Sequence, residues 1–233
     1  MPDAIRPDAR CAFIGATGTG KSTLARWLWA TQAGRRAGHR WRVLIDGQDA
    51  YELVPEHGTC EAVGVDAVDW RAQVIRIIPR DPTPAEYEEI YTRLNALPGG
   101  ACVWIDEAQL AGDANRAGPA IRRYGTMGRK LRHMHLVCSQ HPVRIEPTLL
   151  DQAEHVFCFQ LRRRNDTDLM AAVMGIDTGR ELRERLRALP PSTDGLPSHH
   201  FLHASVASDG IPTQEPLRPE QIAAADQLVR ALM

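Results

Sequence analysis

The sequence predicts an α/β fold in which a mostly parallel sheet is covered by helices on both faces. Three observations lead to this prediction. Short apolar runs with almost no polar interruption are typical of strands that are buried on both faces, as in parallel sheets. Segments with a helical spacing of apolar residues alternate with these runs. A glycine-rich turn at residues 15–20 joins the first apolar run to the first helical segment.

Each predicted strand is an apolar run that ends in polar or turn-forming residues. These runs lie at residues 11–14, 41–45, 74–78, 101–105, 135–138 and 156–159. Helices are predicted where apolar residues recur every three or four positions, at residues 22–32, 85–97, 166–174, 180–189 and 219–233. A small C-terminal hairpin is predicted from residues 201–206 and 213–217. We expect one domain over residues 1–233, with a core at about 10–165 and a C-terminal extension at about 166–233.

The composition is that of a globular protein without an overall charge bias. Of 233 residues, 43% are hydrophobic, and 28 basic residues face 29 acidic ones. The basic residues are unevenly distributed, because seven Lys or Arg and no Asp or Glu lie between Arg116 and Arg144. Five cysteines without paired spacing predict reduced thiols. The sequence shows no secretory signal and no run of about 18 apolar residues, so a cytoplasmic protein is expected.

The glycine-rich turn carries the pattern Gly-x-x-x-x-Gly-Lys-Ser between a strand and a helix. In such a P-loop, backbone N–H groups surround the phosphates, Lys21 places a charge on the β and γ oxygens, and Ser22 offers its hydroxyl to Mg²⁺. The alternative is a glycine-rich turn with a chance lysine. The pattern predicts a site for ATP and Mg²⁺ made by Gly15, Thr17, Gly18, Thr19, Gly20, Lys21, Ser22 and Thr23.

Two carboxylates follow the apolar run at residues 101–105. Asp106 is predicted to join Ser22 in the Mg²⁺ shell, and Glu107 to orient and deprotonate the attacking water. The alternative is that both are ordinary helix-start carboxylates, which the helix dipole favours. Asp46 and Asp49 follow the second strand in the same way and are interpreted as turn residues, with contact to the metal shell or to a neighbouring subunit as the alternative.

Gln140 lies just after the apolar run at residues 135–138, on the sheet edge where open α/β sheets bind ligands. From there its side chain can reach a γ-phosphate or the lytic water. A glutamine at a strand end can equally be a turn residue, so this position alone does not establish a role.

Four motifs, taken in order, resemble the FtsK-HerA superfamily of DNA-pumping ATPases. They are the Gly-x-Thr-Gly-x-Gly-Lys-Ser form of the P-loop, Asp46 at the end of the second strand, the Asp106–Glu107 pair, and residues 128–142. In the last motif a Gly-Arg-Lys-like segment leads into a strand ending in Ser-Gln-His-Pro, with Arg132 and His133 where the family has Gly-Ile. The resemblance spans about residues 11–161 and implies a RecA/ASCE-like P-loop NTPase core.

The resemblance also implies a homo-oligomeric ring, usually a hexamer, with ATP between neighbouring subunits. An arginine of one subunit would complete the site of the next. Arg129 matches the family's arginine before the glutamine strand, and Arg122, Arg123 and residues 162–164 are alternatives. The basic block suits the phosphates of double-stranded DNA, through Arg122, Arg123, Lys130 and Arg132. A solvated helix face is the alternative. The histidines lack metal-ligand spacing, so no metal other than Mg²⁺ is expected.

The resemblance therefore implies a DNA-translocating ATPase. Its expected catalytic residues are Glu107, Lys21, Gln140 and Arg129. Because 233 residues are expected to hold only the motor core, the chain looks most like the genome-packaging ATPases of tailless, internal-membrane viruses. Expected partners are capsid or membrane proteins at the packaging vertex, and the expected location is the host cytoplasm or that vertex. Alternatives are a conjugation, plasmid-mobilisation or filamentous-phage assembly ATPase, a P-loop kinase, a nucleotide switch without DNA, and a subunit with a vestigial site.

Overall fold

The computed structural model describes residues 5–32, 38–51, 58–191, 198–208 and 210–232. One sheet contains the nine strands of the described chain, in the order β3-β4-β2-β5-β6-β1-β7-β8-β9. The strands are β1 (Arg10–Ile14), β2 (His39–Asp46), β3 (Thr59–Val63), β4 (Val74–Ile78), β5 (Gly100–Asp106), β6 (Met134–Ser139), β7 (His155–Cys158), β8 (Phe201–Ser205) and β9 (Thr213–Gln214).

The first seven strands in this order are parallel, and β8 and β9 continue the sheet as an antiparallel hairpin. Strand β6 lies between β1 and β5. The carboxyl ends of β1, β5 and β6 therefore meet at one edge of the sheet, where open α/β proteins bind their ligands. The predicted fold class is confirmed, including the mostly parallel sheet and the C-terminal hairpin and helix.

Helices cover both faces of the sheet. They are α1 (Lys21–Gln32), α2 (Pro84–Asn95), α3 (Pro119–Met127), α4 (Pro147–Asp151), α5 (Arg164–Met174), α6 (Gly179–Arg187) and α7 (Pro219–Leu232). Side chains alternate between the two faces along each strand. Phe13 and Trp104 therefore pack with Leu28 of α1 on one face, whereas Val43 packs with Tyr91 of α2 on the other.

The sequence missed β3 because this strand contains no apolar run. It lies at the sheet edge, and Val63 is exposed while Glu61 pairs with Arg76 of β4 at 2.7 Å. An edge strand of this kind buries too little to show a hydrophobic pattern. Strand β9 is also shorter than predicted.

The hairpin turn includes Asp209 and the predicted last helix includes Met233, and both residues lie outside the described ranges. All five cysteines are free in this structure, and four of them are buried. Within the part of the chain that is described, no helix combines the length and the apolar character needed to cross a membrane.

Candidate functional site

The loop between β1 and α1 needs glycine at three positions. Gly18 and Gly20 have φ angles of 78° and 91°, in the left-handed region that a Cβ atom disfavours. At Gly15 the space is missing instead, because a Cβ atom there would lie 2.5 Å from the Cβ of Phe159. The glycines therefore allow the loop to curl tightly over the end of the sheet.

Hydrogen bonds attach this loop to the end of β6 and to the segment that follows β7, the two strands that flank β1. The Gly15 N–H donates to the carbonyl oxygen of Ser139 at 3.1 Å, and the Ala16 N–H donates to that of Gln160 at 2.9 Å. Helix α1 begins at Lys21 and has no acidic residue in its first turn. Because the first N–H groups of a helix lack partners within the helix, this end favours an anion. The loop and helix have the shape and polarity that phosphate binding requires.

Asp106, at the end of β5, lies directly beside the first turn of α1. Its Oδ1 accepts a hydrogen bond from the Ser22 hydroxyl at 3.1 Å, and its Oδ2 accepts one from the Tyr51 hydroxyl at 2.6 Å. Burial raises the pKa of Asp106, while the Tyr51 hydrogen bond and the charge of Lys21 act in the opposite direction. Burial also raises the pKa of Tyr51, and Asp106 raises it further. Tyr51 therefore remains a hydrogen-bond donor to the carboxylate.

Glu107 is held in a left-handed backbone conformation, with φ 55° and ψ 53°. Its Oε1 accepts a hydrogen bond from the Gln140 amide at 2.5 Å and lies 3.7 Å from the Lys21 ammonium. Only 4% of Glu107 and 6% of Lys21 are exposed to solvent. A residue other than glycine in this conformation costs about 1–3 kcal/mol, and such residues cluster at functional sites. The backbone thus turns this carboxylate toward the P-loop lysine.

Gln140 connects the P-loop to Glu107. The Thr17 hydroxyl donates to the Gln140 Oε1 at 2.7 Å, while the Gln140 Nε2 donates to Glu107. Because β6 lies between β1 and β5, a side chain just after β6 reaches the ends of both neighbouring strands. The structure therefore brings the predicted residues Lys21, Glu107 and Gln140 together.

Asp46 is completely buried and makes the contacts of a turn residue and of an ion pair. Its Oδ1 accepts the Ala50 N–H at 3.1 Å and its Oδ2 accepts the Tyr51 N–H at 3.0 Å. The Oδ2 also accepts two hydrogen bonds from the Arg76 guanidinium, at 2.7 and 3.1 Å. Asp46 thereby shapes the turn that places Tyr51 against Asp106.

A cavity of about 210 Å³ lies next to the P-loop on the side of the C-terminal hairpin. Its lining is largely apolar and includes Phe159, Phe201, Leu217 and Ile222 beside Gly18 and Gly20. His199 also lines it, and the His199 Nε2 lies 3.1 Å from the Gly18 carbonyl oxygen. No motif marks the C-terminal residues of this lining, and the sequence predicts none of them as a site residue.

Arg129 lies at the opposite edge of the sheet from the P-loop, in the turn before β6. Its side chain is half-exposed, and its Nε lies 3.9 Å from Asp8. The six residues of β6 separate it from Gln140, and a strand rises about 3.3 Å per residue. Arg129 therefore does not reach the P-loop of its own chain.

The four residues predicted to bind DNA are all exposed, and they belong to two consecutive segments of the chain. Arg122 donates to the Ala114 carbonyl oxygen at 2.6 Å, and its Nε lies 3.3 Å from Glu146. Arg123 lies beside it on α3, whereas Lys130 and Arg132 occupy the turn after that helix.

Two other arginines do lie at the P-loop edge. Arg162 and Arg163 follow β7 and line a cavity of about 240 Å³ together with Thr17 and Gln140. Both are exposed, and neither has an acidic partner within 4.0 Å among the residues that the structure describes. Arg164 differs, because its Nε lies 3.6 Å from Asp168.

Solved structures with a similar fold are known. The genome packaging NTPase B204 from Sulfolobus turreted icosahedral virus 2, in complex with ATP-gammaS, superposes with a TM-score of 0.71 at 17% sequence identity. The match covers 92% of this chain and 100% of that one. This chain has the P-loop NTPase fold.

Two further structures share this P-loop NTPase fold. For EssC (ATPases 2 and 3) from Geobacillus thermodenitrificans the TM-score is 0.55 at 12% identity, over 97% of this chain and 44% of that chain. For the N-terminal domain of zonular occludens toxin from Neisseria meningitidis the TM-score is 0.50 at 14% identity, over 93% of this chain and 97% of that chain. No protein-family model and no curated protein matches the sequence. The resemblance noted in the sequence is thus confirmed at the level of the fold.

Proposed function

We propose that this protein is an ATP-driven DNA translocase that packages a viral double-stranded DNA genome. The observation that supports ATP hydrolysis is the buried Glu107 carboxylate, which lies 3.7 Å from the P-loop lysine and is hydrogen bonded to Gln140. A kinase differs in its nucleophile, which is a substrate hydroxyl rather than water. The likeness to a viral packaging NTPase in fold supports the packaging part.

ATP fits the two parts of the site. The P-loop and the first turn of α1 would hold the phosphates, and the apolar cavity beside Gly18 would hold the base. Mg²⁺ fits the donor set, because the Ser22 hydroxyl and the Asp106 carboxylate are adjacent oxygen ligands. Tyr51 would orient the carboxylate. When bound, Mg²⁺ would neutralise charge on the β and γ phosphates.

Hydrolysis would proceed by in-line attack of water on the γ-phosphorus. As the new P–O bond forms, the bond between the γ-phosphorus and the β–γ bridging oxygen breaks, and ADP leaves with the electron pair. Glu107 would orient the water and accept its proton. Lys21 would stabilise the charge on the γ oxygens. Gln140 touches both Thr17 of the P-loop and Glu107, so it is placed to respond to loss of the γ-phosphate.

A ring of identical subunits, a hexamer in our proposal, would complete each site with an arginine from the neighbour. Arg129 is the first candidate because it cannot act within its own chain. Arg162 is the second candidate, since it has no acidic partner in the described structure and lies at the P-loop edge. Mixing Glu107→Gln subunits with Arg129→Ala subunits, and separately with Arg162→Ala subunits, tests both. Recovery of ATPase activity in one mixture identifies the arginine that acts in trans.

The exposed arginines and lysine of the basic block, Arg122, Arg123, Lys130 and Arg132, would contact the DNA phosphates. The motor would work in the host cytoplasm or at the packaging vertex, docked to capsid or membrane proteins. Its binding to DNA would not depend on the base sequence, because the contacts are to phosphates. The affinity would fall as salt rises, because each phosphate contact releases counterions.

The decisive experiment measures ATP hydrolysis with and without double-stranded DNA over a range of salt concentrations. We expect DNA to raise the rate, and this increase to shrink as salt rises. The double variant Arg123→Ala/Lys130→Ala should need more DNA for the same stimulation, whereas Arg180→Ala, at an exposed arginine on α6, should behave as wild type. Hydrolysis that is equally fast without DNA at every salt concentration would refute translocation and leave only an ATPase.

A further inference from the structure

Gln109 contacts the carboxylate of Glu107 on the side that faces away from the P-loop. It lies in the short 3-10 turn Ala108–Ala111, directly after Glu107. Its Nε2 donates to the Glu107 Oε2, and its Oε1 accepts a hydrogen bond from the Ser139 hydroxyl at 2.5 Å. The two oxygens of Glu107 therefore have separate partners, with Lys21 and Gln140 at Oε1 and Gln109 at Oε2.

Ser139 determines which way the Gln109 amide faces. The His141 N–H donates to the Ser139 Oγ at 3.0 Å, so the hydroxyl proton of Ser139 is directed to the Gln109 Oε1. A side-chain amide accepts hydrogen bonds through its oxygen and donates them through its NH₂ group. With the oxygen turned to Ser139, the NH₂ group must face Glu107. The opposite orientation would place the amide oxygen against a carboxylate oxygen.

We propose that Gln109, held by Ser139, is a positioning residue that keeps the Glu107 carboxylate aimed at the attacking water. The proposal rests on the ATP hydrolysis assigned above but not on DNA translocation. When ATP enters, Lys21 and Gln140 gain a phosphate partner and their contacts with Glu107 weaken. Within the described part of the chain, the side chains of Gln109 and Ser139 make no hydrogen bond to the P-loop, so their hold on Oε2 persists.

The inference predicts a loss of turnover without a loss of nucleotide binding. The terminal carboxylate torsion of a glutamate is broad and roughly two-fold, so the group needs fixed partners to stay aligned. A misplacement of about 1 Å at a reacting group can cost roughly 100-fold in rate. We expect Gln109→Ala to lower kcat by about 10-fold to 100-fold, with KM and the affinity for a non-hydrolysable ATP analogue unchanged.

Ser139 variants test whether the Ser139 hydroxyl holds Gln109 in place. Ser139→Ala removes the hydroxyl and should lower kcat in the same way, whereas Ser139→Thr keeps a hydroxyl and should recover most of the lost rate. The double variant Gln109→Ala/Ser139→Ala should be no slower than the slower single variant, because both act through one carboxylate. The matched control is Gln73→Ala, at an exposed glutamine before β4.

The critical comparison repeats Gln109→Ala in a Glu107→Gln background, using single-turnover hydrolysis without DNA. If Gln109 acts only through Glu107, the substitution has no further effect there. An equal fold-loss in both backgrounds, a rise in KM, or an unchanged kcat in the wild-type background would overturn the proposal. Wild-type turnover that DNA does not change would refute the translocase alone, whereas a wild-type protein with no turnover would refute both proposals.

Discussion

The buried ion pair between Asp46 and Arg76 makes a quantitative test of the structure. Their side chains are 1% and 3% exposed, and removing one partner of such a pair costs about 3–5 kcal/mol. Asp46→Asn keeps the volume but turns an amide NH₂ or an uncharged oxygen toward the guanidinium. Arg76 retains Asp49 and Glu61, but these carboxylates are 67% and 45% exposed, and exposed pairs contribute about 0–1 kcal/mol each. We therefore expect a loss of about 3 kcal/mol, at the lower end of the range.

Urea-induced unfolding followed by tryptophan fluorescence measures this loss directly. The control is Glu184→Gln, which removes the exposed partner of Arg180 on α6 and should leave the unfolding midpoint unchanged. Since whole domains are stable by only about 5–15 kcal/mol, the Asp46 variant should unfold at clearly lower urea. An Asp46→Asn midpoint equal to that of the control, at an unchanged m-value, would refute the assignment of a stabilising buried pair.

Three further outcomes are expected. The Glu107→Gln variant should have a kcat about 10²–10⁴-fold lower but should still bind a non-hydrolysable ATP analogue. Loss of analogue binding would contradict the role of Glu107 as a base. Leu217→Glu places a carboxylate in the apolar cavity and should weaken binding of a fluorescent ATP analogue by about 10-fold to 100-fold. Val206→Glu, at a residue that is 78% exposed, is its control, and equal affinities would exclude that cavity as the base site. Burial lowers the pKa of His135 to about 3 and that of His203 to about 4. Because the unfolded chain binds these protons below about pH 6.5, stability should fall as pH drops from 6.5 toward 4, by up to about 1.4 kcal/mol per pH unit for each histidine. Unfolding midpoints that do not change between pH 7.5 and pH 5 would contradict this.

The central strands could be predicted because they are buried on both faces. Strands such as β5 are entirely apolar until the polar residues at their ends, so both the strand and the carboxylates at its end are visible in the sequence. Edge strand β3 could not be predicted, since Thr59 and Glu61 leave it without an apolar run and Ala62 is its one buried residue.

The supporting residues of the site could not be predicted, because tertiary folding alone brings them there. Tyr51 is 55 residues from Asp106 in the chain, and His199 is 181 residues from Gly18. Gln109 is only two residues from Glu107, but its contact depends on the left-handed backbone of Glu107 and on the turn that follows. Motifs specify groups that touch phosphate or water, whereas the groups that hold them have no fixed spacing.

The contact between the P-loop and the end of β7 has a mechanical consequence. Gly15 leaves no free space against Phe159, and Ala16 is hydrogen bonded to Gln160. Arg162 follows two residues later. A displacement of the loop would therefore be felt first at residues 159 and 160. These residues lie just before the exposed arginines at residues 162–164, so the loop and the charged surface run share one continuous set of contacts.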